Sequence, residues 1–249
     1  MIHPDQTRGG AGAGVATPEG CQGAGRIGTL QIAFVLVAIV AAFVVSSSAA
    51  LGGSLVLVPA LALVLGRKEG AALAALLLAA NNVVKMVAYR ATIPVRRAAW
   101  VVAATVVGAL AGSMLLVAAQ ERVVTIAVIA SIVLTMLLDG LHRGTVLART
   151  APLLALGSGF TSGFSGTSGP LKGLALRALR LDRLHTVGAA SAVSLFGDVT
   201  KTAIYTDAQL LGGSSYQLAA VAAPLMVGST LLGRSLNRRL GERGYALMF

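Results

Sequence analysis

Charge is missing from long stretches of this chain. None occurs between Arg26 and Arg67, between Arg97 and Glu121, or between Asp207 and Arg234, and each gap can cross a hydrocarbon core, which takes about 20 apolar residues as a helix. Cysteine is nearly absent as well: Cys21 stands alone, which excludes a disulfide framework and a thiolate metal site. His3, His142 and His185 have no ligand spacing, so no metal is implied. The GAGAG near the start is not followed by GK[ST], so it is no phosphate loop. Nothing else resembles an ATP-binding motif. No cofactor is implied, and energy for any work must come from a gradient or a partner. Residues 1–26 also lack the basic start and apolar run of a signal peptide, and they read as a disordered tail.

What the chain does contain is apolar. Hydrophobic residues make up 56% of it and charged residues 12%, with a mean hydropathy of +0.82, so its solvent is a lipid bilayer. The formal charge of +11 does not point to nucleic acid, because the basic residues lie singly or in pairs between apolar segments, without aromatic interleaving. They read as loop residues that set orientation in the membrane. A homo-oligomer is compatible with such a chain.

Helical segments are expected over 27–45, 55–65, 70–89, 95–119 and 123–138, then over 152–163, 171–179, 186–205 and 216–232. Two polar breaks interrupt them. Ser46 to Ser54 reads SSSAALGGS, and Gly157 to Lys172 reads GSGFTSGFSGTSGPLK. Glycine is costly inside a helix and Pro170 removes a backbone donor. In lipid, such a break survives only where protein or a water-filled cavity satisfies the freed backbone groups. A long helix, a polar break and a helix too short to cross form a re-entrant pattern, and it occurs twice.

The second series repeats the first at an offset of 116 residues. That offset relates Gly53 to Gly169, Arg67 to Arg183, Lys85 to Lys201, Tyr89 to Tyr205, Gly112 to Gly228 and Ser113 to Ser229. Matched Lys and Tyr within apolar helices point to internal duplication. The expected fold is an all-α polytopic membrane protein with two inverted repeats of four to five helical segments, each with a broken or re-entrant helix pair. A unit of five segments has odd crossing number, so its copy must be inverted. The basic loops fit, since Arg90, Arg96, Arg97, Arg143 and Arg149 fall on one side and the loop from Thr206 to Gln217 carries no basic residue. Arg67 and Lys68 fall on the opposite side. The expected organisation is the tail over 1–26 outside, a first membrane repeat over 27–140, a cytoplasmic linker over 141–150, and a second repeat over 151–249 that lacks its last helix and ends inside.

Lys85 and Lys201 are the candidates for chemistry, because a charge at membrane depth costs free energy and is functional by default. For Lys85 the plain alternative is snorkelling to the interface near Arg90. For Lys201 it is an ion pair with Asp198, three residues earlier on the same face. Asn82 stands where Asp198 stands in the other copy, which leaves Lys85 without a carboxylate nearby in sequence. That difference favours an anion as the missing partner, or a proton-linked role for Asp198.

Helices restarting at Gly53 and Gly169 would aim unpaired N–H groups at the same site. Ser162, Ser165, Thr167 and Ser168, with Ser46, Ser47, Ser48 and Ser54, supply hydroxyls; Asn82 and Tyr205 are further donors. The bland reading of the small residues is helix contact. GFSG, Gly163 to Gly166, also has the form seen in intramembrane serine proteases, with His185 as a conceivable base, but a base must lie within hydrogen-bond reach of Ser165. The reading in the residues is a secondary transporter with an anion site between the breaks; a passive anion channel and the protease are the alternatives.

The runs GFTSGFSGTSGPLKGLAL and GDVTKTAIY, with SAALGGSLVLVPALALVLG and NNVVKMVAYR, resemble the sulfite exporter TauE/SafE family, also called toluene sulfonate uptake permeases. The resemblance covers about residues 27–240. It implies a permease, not an enzyme, moving sulfite, sulfonates or sulfoacetate across a bacterial inner membrane. Members often carry three successive glycines at each break. Here Leu51, Gly52, Gly53 and Thr167, Ser168, Gly169 stand at those positions.

Overall fold

Helix is the only regular structure that leaves no backbone donor unpaired in each apolar segment. The computed structural model describes residues 29–49, 53–141, 150–167 and 169–239. These form helices α1 (Thr29–Ala49), α2 (Gly53–Leu65), α3 (Arg67–Ala88), α4 (Val95–Ala118), α5 (Glu121–Leu141), α6 (Ala151–Ser165), α7 (Gly169–Ala178), α8 (Arg183–Asp207) and α9 (Gly213–Arg239). No strand occurs among the described residues. The tail over 1–26 and the second copy of the fifth helix lie outside the described residues, as do Leu51, Gly52 and Ser168. So does the linker, apart from Leu141 and Thr150.

Arg67–Ala88, Val95–Ala118 and Ser215–Gly233 are long and apolar enough to cross a membrane. By contrast α2 has 13 residues and α7 has 10. At about 1.5 Å rise per residue neither reaches across a hydrocarbon core of about 30 Å. Both follow a longer helix across a short break, as the re-entrant pattern requires.

The starts of α2 and α7, at Gly53 and Gly169, and of α3 and α8, at Arg67 and Arg183, keep the separation of 116 residues. Element boundaries differ from expectation where tertiary contact decides. Gly70, expected to open a helix, lies inside the first turns of α3, where a Cβ would stand 2.6 Å from the Ala62 nitrogen of α2. The turn that reverses the chain is Gly66 alone, with φ +90° in open space, a conformation that favours glycine. α9 runs longer than expected at both ends and carries Pro224 inside it.

Burial is inverted relative to a protein in water. Leu63 is 81% exposed and Trp100 76% exposed, whereas Lys85 is 3% and Lys201 1% exposed. Exposed apolar side chains suit lipid, and charges packed inside need partners.

Helices α4 and α6 cross backbone to backbone. Gly108 and Gly112 of α4 meet the Leu156 and Phe160 carbonyls of α6, and Gly159 meets the Thr105 carbonyl of α4; a Cβ at any of them would overlap that oxygen. At Gly163 a Cβ would stand 2.6 Å from the Ala109 oxygen. Two small-xxx-small stripes thus let the backbones touch. α1 packs on α9 in the other half, but Gly228, the counterpart of Gly112, faces open space.

Candidate functional site

Each site lysine is placed by a helix that ends early. α6 stops at Ser165 because Gly166 takes a left-handed conformation, φ +78°, and its N–H closes the last turn on the Ser162 carbonyl at 2.9 Å. The end of α6 therefore presents Ser162, and the end of α1 presents Ser46. Lys201 of α8 donates to Ser162 Oγ at 2.8 Å. Lys85 of α3 donates to Ser46 Oγ at 2.8 Å and to the Ser46 carbonyl at 3.3 Å. The sequence separation is 39 residues in both. Both ammonium groups thus sit near helix C-termini, where the carbonyl ends of the dipole favour a cation. Lys85 turns inward to Ser46 and is buried, so the interface is not where its ammonium lies.

Asp198 joins the halves. Its Oδ1 pairs with Lys201 Nζ at 2.6 Å, and its Oδ2 accepts from Asn82 Nδ2 at 2.7 Å. Asn82 and Asp198 are separated by the repeat offset of 116 residues, so the two equivalent positions touch each other. The result is one connected run: Ser46 to Lys85, along α3 to Asn82, across to Asp198, along α8 to Lys201, and on to Ser162. The ion pair anticipated from spacing is present, and it is tied to the other half by an amide.

The remaining expected residues divide. Tyr205, fully buried, donates to the Gly163 carbonyl and so ties α8 to the end of α6. Ser165 Oγ donates to the Thr161 carbonyl at 2.8 Å and lies 3.1 Å from Thr167 Oγ1. Thr167 Oγ1 also meets Ser131 Oγ of α5 at 2.7 Å. Gly53 lets α2 return against α1, since a Cβ there would stand 2.6 Å from Ser46 Cβ. Ser54 beside it is half-buried. Gly169 begins α7, and Ser168 lies outside the described residues. His185 is exposed and bonds to Asp182 at the head of α8, while Ser165 is buried with the partners named above.

Sequence reasoning gave no role to three residues near this run. Lys172 of α7 donates to Ser194 Oγ of α8 at 3.0 Å. Ser131 reaches the break from α5, and Asn81 accepts from Thr230 of α9. A lysine within a half-length helix was a readable signal; the other two partners depend on packing between distant segments. Among the described residues, the buried atoms Ser47 Oγ, Asn81 Nδ2 and Asn82 Oδ1 have no hydrogen-bond partner. Ser47 adjoins Ser46, and Asn82 belongs to the connected run. Unpaired buried polar groups cost about 1–3 kcal/mol each, so their retention beside two lysines points to a ligand or ordered water as partner.

No curated protein and no solved structure matches the chain. A family model described as sulfite exporter TauE/SafE matches residues 34–249, which takes in all of α2 to α9 and most of α1. With its apolar helices, inward-turned charges and broken helix pairs, the chain belongs to the TauE/SafE family, a family of membrane transporters for sulfur-containing anions.

Proposed function

We propose that the chain is a secondary transporter that carries a small sulfur-containing anion, sulfite or an organosulfonate, across a bacterial inner membrane. Its site lies between two inverted repeats. The observation that carries this reading is the repeated lysine at a helix end: Lys85 on Ser46 and Lys201 on Ser162, each at 2.8 Å and each buried. Contact between the equivalent residues Asn82 and Asp198 fits a pseudo-two-fold axis passing between them, which inverted repeats would have.

An ammonium has three donors. Lys201 directs its bonds to a carboxylate and a hydroxyl, whereas among the described residues Lys85 bonds only to neutral oxygens of Ser46. An oxyanion is the partner that would complete Lys85, with Asn82, Ser47, Ser54 and the N–H groups at the starts of α2 and α7 as further donors. Ser162, Ser165, Thr167 and Tyr205 line or brace the other face. Asp198, bonded to both halves, takes the coupling proton: once neutral it releases Lys201 to the anion. Alternation between faces follows from movement of one repeat against the other, which the Asn82–Asp198 contact links.

Flux into proteoliposomes tests the reading. Saturable movement of sulfite or methanesulfonate is expected, and Lys85→Ala and Lys201→Ala should each abolish it while the chain still folds. Undiminished flux in both variants removes the site, and single-channel currents far above carrier turnover would make the chain a channel. Labelling of Ser165 by a serine-reactive probe would favour the protease.

A further inference from the structure

Asn81 lies well inside α3 and is fully buried, yet only one end of its amide has a partner. Thr230 of α9 donates to Asn81 Oδ1, and among the described residues Asn81 Nδ2 bonds to nothing. The threonine thus fixes which end of the amide is left over, and that end carries N–H donors. Asn81 precedes Lys85 by four residues, which puts both on one face of α3, about 6 Å apart along the axis. Lys85 meets α1 at Ser46, and the next residue of α1, Ser47, has a buried hydroxyl that is also without a partner. α9 packs on both α1 and α3, so these groups belong to the junction of the three helices.

Duplication does not account for them. At the offset of 116 residues, Asn81 corresponds to Gly197, Thr230 to Met114 and Ser47 to Gly163. Two glycines and an apolar side chain therefore stand on the Lys201 side where the Lys85 side has three polar residues. The crossing of α4 with α8, equivalent to that of α9 with α3, is made by a glycine against a methyl: a Cβ at Gly197 would stand 3.3 Å from Thr105 Cγ2. Met114 is 62% exposed and takes no part in it. A contact that only held two helices together would need no free donor, and a buried donor left unpaired is destabilising.

We infer that Asn81 is a substrate-binding residue whose Nδ2 donates to the transported anion at the junction of α1, α3 and α9, and that Thr230 is the positioning residue that aims it. This assignment rests on the transporter reading above and adds to its site a residue and a helix, α9. An amide and a hydroxyl donate without being ionised, so the contact from Asn81 and Ser47 does not depend on the charge of any buried group. Thr230 belongs to the second repeat and Asn81 to the first. The amide is therefore aimed only while α9 stays against α3, which ties binding to the relative position of the repeats.

The test follows exchange of labelled sulfite by the full chain in proteoliposomes, and the rise in unfolding temperature that sulfite gives the detergent-solubilised chain. Asn81→Leu keeps the volume and leaves Thr230 the Met226 carbonyl one turn back as acceptor. It should raise KM by about tenfold or more, the scale of a hydrogen bond to a charged group, with a far smaller change in maximal rate. Most of the sulfite-induced rise in unfolding temperature should be lost with it. Thr230→Val should raise KM by about threefold, and Thr230→Ser should restore it because the hydroxyl returns. An amide that only joins helices gives the opposite split: the unfolding temperature of the free chain falls in Asn81→Leu and Thr230→Val while KM stays, and that result overturns the assignment. Should Asn81→Leu fail to fold, equal KM values in the wild-type chain, Thr230→Val and Thr230→Ser overturn it. In either case wild-type exchange survives, and the assignment falls alone. If sulfite neither exchanges through the wild-type chain nor stabilises it, the transporter reading itself has failed, and the assignment falls with it.

Discussion

In the first half, Lys85 has the Ser46 hydroxyl at 2.8 Å and the Ser46 carbonyl at 3.3 Å. In the second half, Lys201 has the Ser162 hydroxyl at 2.8 Å and a carboxylate, Asp198, at 2.6 Å. The helix end and the lysine recur in both halves, but the residue three positions before the lysine is neutral in one, Asn82, and a carboxylate in the other, Asp198. Under the proposed transporter reading, Asp198 between the halves offers a proton site that Asn82 does not. The second half also holds the extra lysine, Lys172, so charge accumulates on one side of a symmetric frame. The first half supplies what the second lacks: a lysine without a carboxylate of its own.

The largest effect should come from removing the shared carboxylate. Asp198→Ala leaves Lys85, Lys172 and Lys201 without their counter-charge and should cost about 3–5 kcal/mol, the scale of a broken buried ion pair. Asn82→Ala removes one hydrogen bond to that carboxylate and should cost about 1.5–3 kcal/mol. Thermal unfolding of the detergent-solubilised chain measures both, and equal shifts would mean that charge does not distinguish the halves.

The helix crossings give the next comparison. Gly112→Ala drives a methyl into the Phe160 carbonyl of α6 and should destabilise by about 3 kcal/mol through overpacking. Gly228→Ala, at the equivalent position 116 residues on, meets nothing within 4 Å and should stabilise by about 0.5–1 kcal/mol through helix propensity. Opposite signs in the same unfolding assay are the expected outcome. Loss of stability in both variants would place a neighbour against Gly228.

These pairs also separate what sequence could say from what it could not. Lys85 and Lys201 were legible because a charge in an apolar helix is rare and its recurrence at one offset is rarer. The restarts at Gly53 and Gly169 were legible because glycine and serine clusters cannot continue a helix in lipid. Gly108 and Gly112 have the four-residue spacing of a contact stripe, but their partners, Gly159 and Gly163, lie inside a stretch that reads first for its polarity. The stretch serves both uses: Gly159 and Gly163 face α4, and Ser162 faces Lys201. Which hydroxyl a lysine takes depends on where two distant helices cross, so the pairings of Lys85 with Ser46, Thr167 with Ser131 and Thr230 with Asn81 needed coordinates. The expected direction of the helix dipoles was incomplete for the same reason. The lysines lie at the ends of α1 and α6, not at the starts of α2 and α7.

Asp198→Asn sharpens the charge comparison without removing the side chain: its amide oxygen can still accept from Lys201, and its nitrogen can donate to Asn82 Oδ1 once the Asn82 amide turns over. The two equivalent positions would then both be asparagine. Exchange of labelled sulfite at equal pH on both sides should persist, and accumulation driven by a pH gradient should fall to the level of exchange. A gradient response that survives the substitution would take the coupling proton away from Asp198.

The finest comparison concerns the two serines, and the direction of the difference between them is the informative part. Ser46→Ala removes the side-chain hydroxyl that Lys85 bonds at 2.8 Å and leaves the longer carbonyl bond, so it should cost about 1.5–3 kcal/mol, as for a hydrogen bond to a charged group. Ser162→Ala leaves Lys201 its ion pair at 2.6 Å, and about 1 kcal/mol is expected because the carboxylate still satisfies the ammonium. Measured side by side, Ser46→Ala should lower the unfolding temperature more than Ser162→Ala, and combining Ser162→Ala with Asp198→Asn should enlarge the serine's contribution. If Ser162→Ala proves the more damaging alone, Lys201 depends on the helix end more than on Asp198. The carboxylate would then be free to exchange its proton without disturbing the lysine, and the difference between the halves would lie in how each lysine is held rather than in its charge partner.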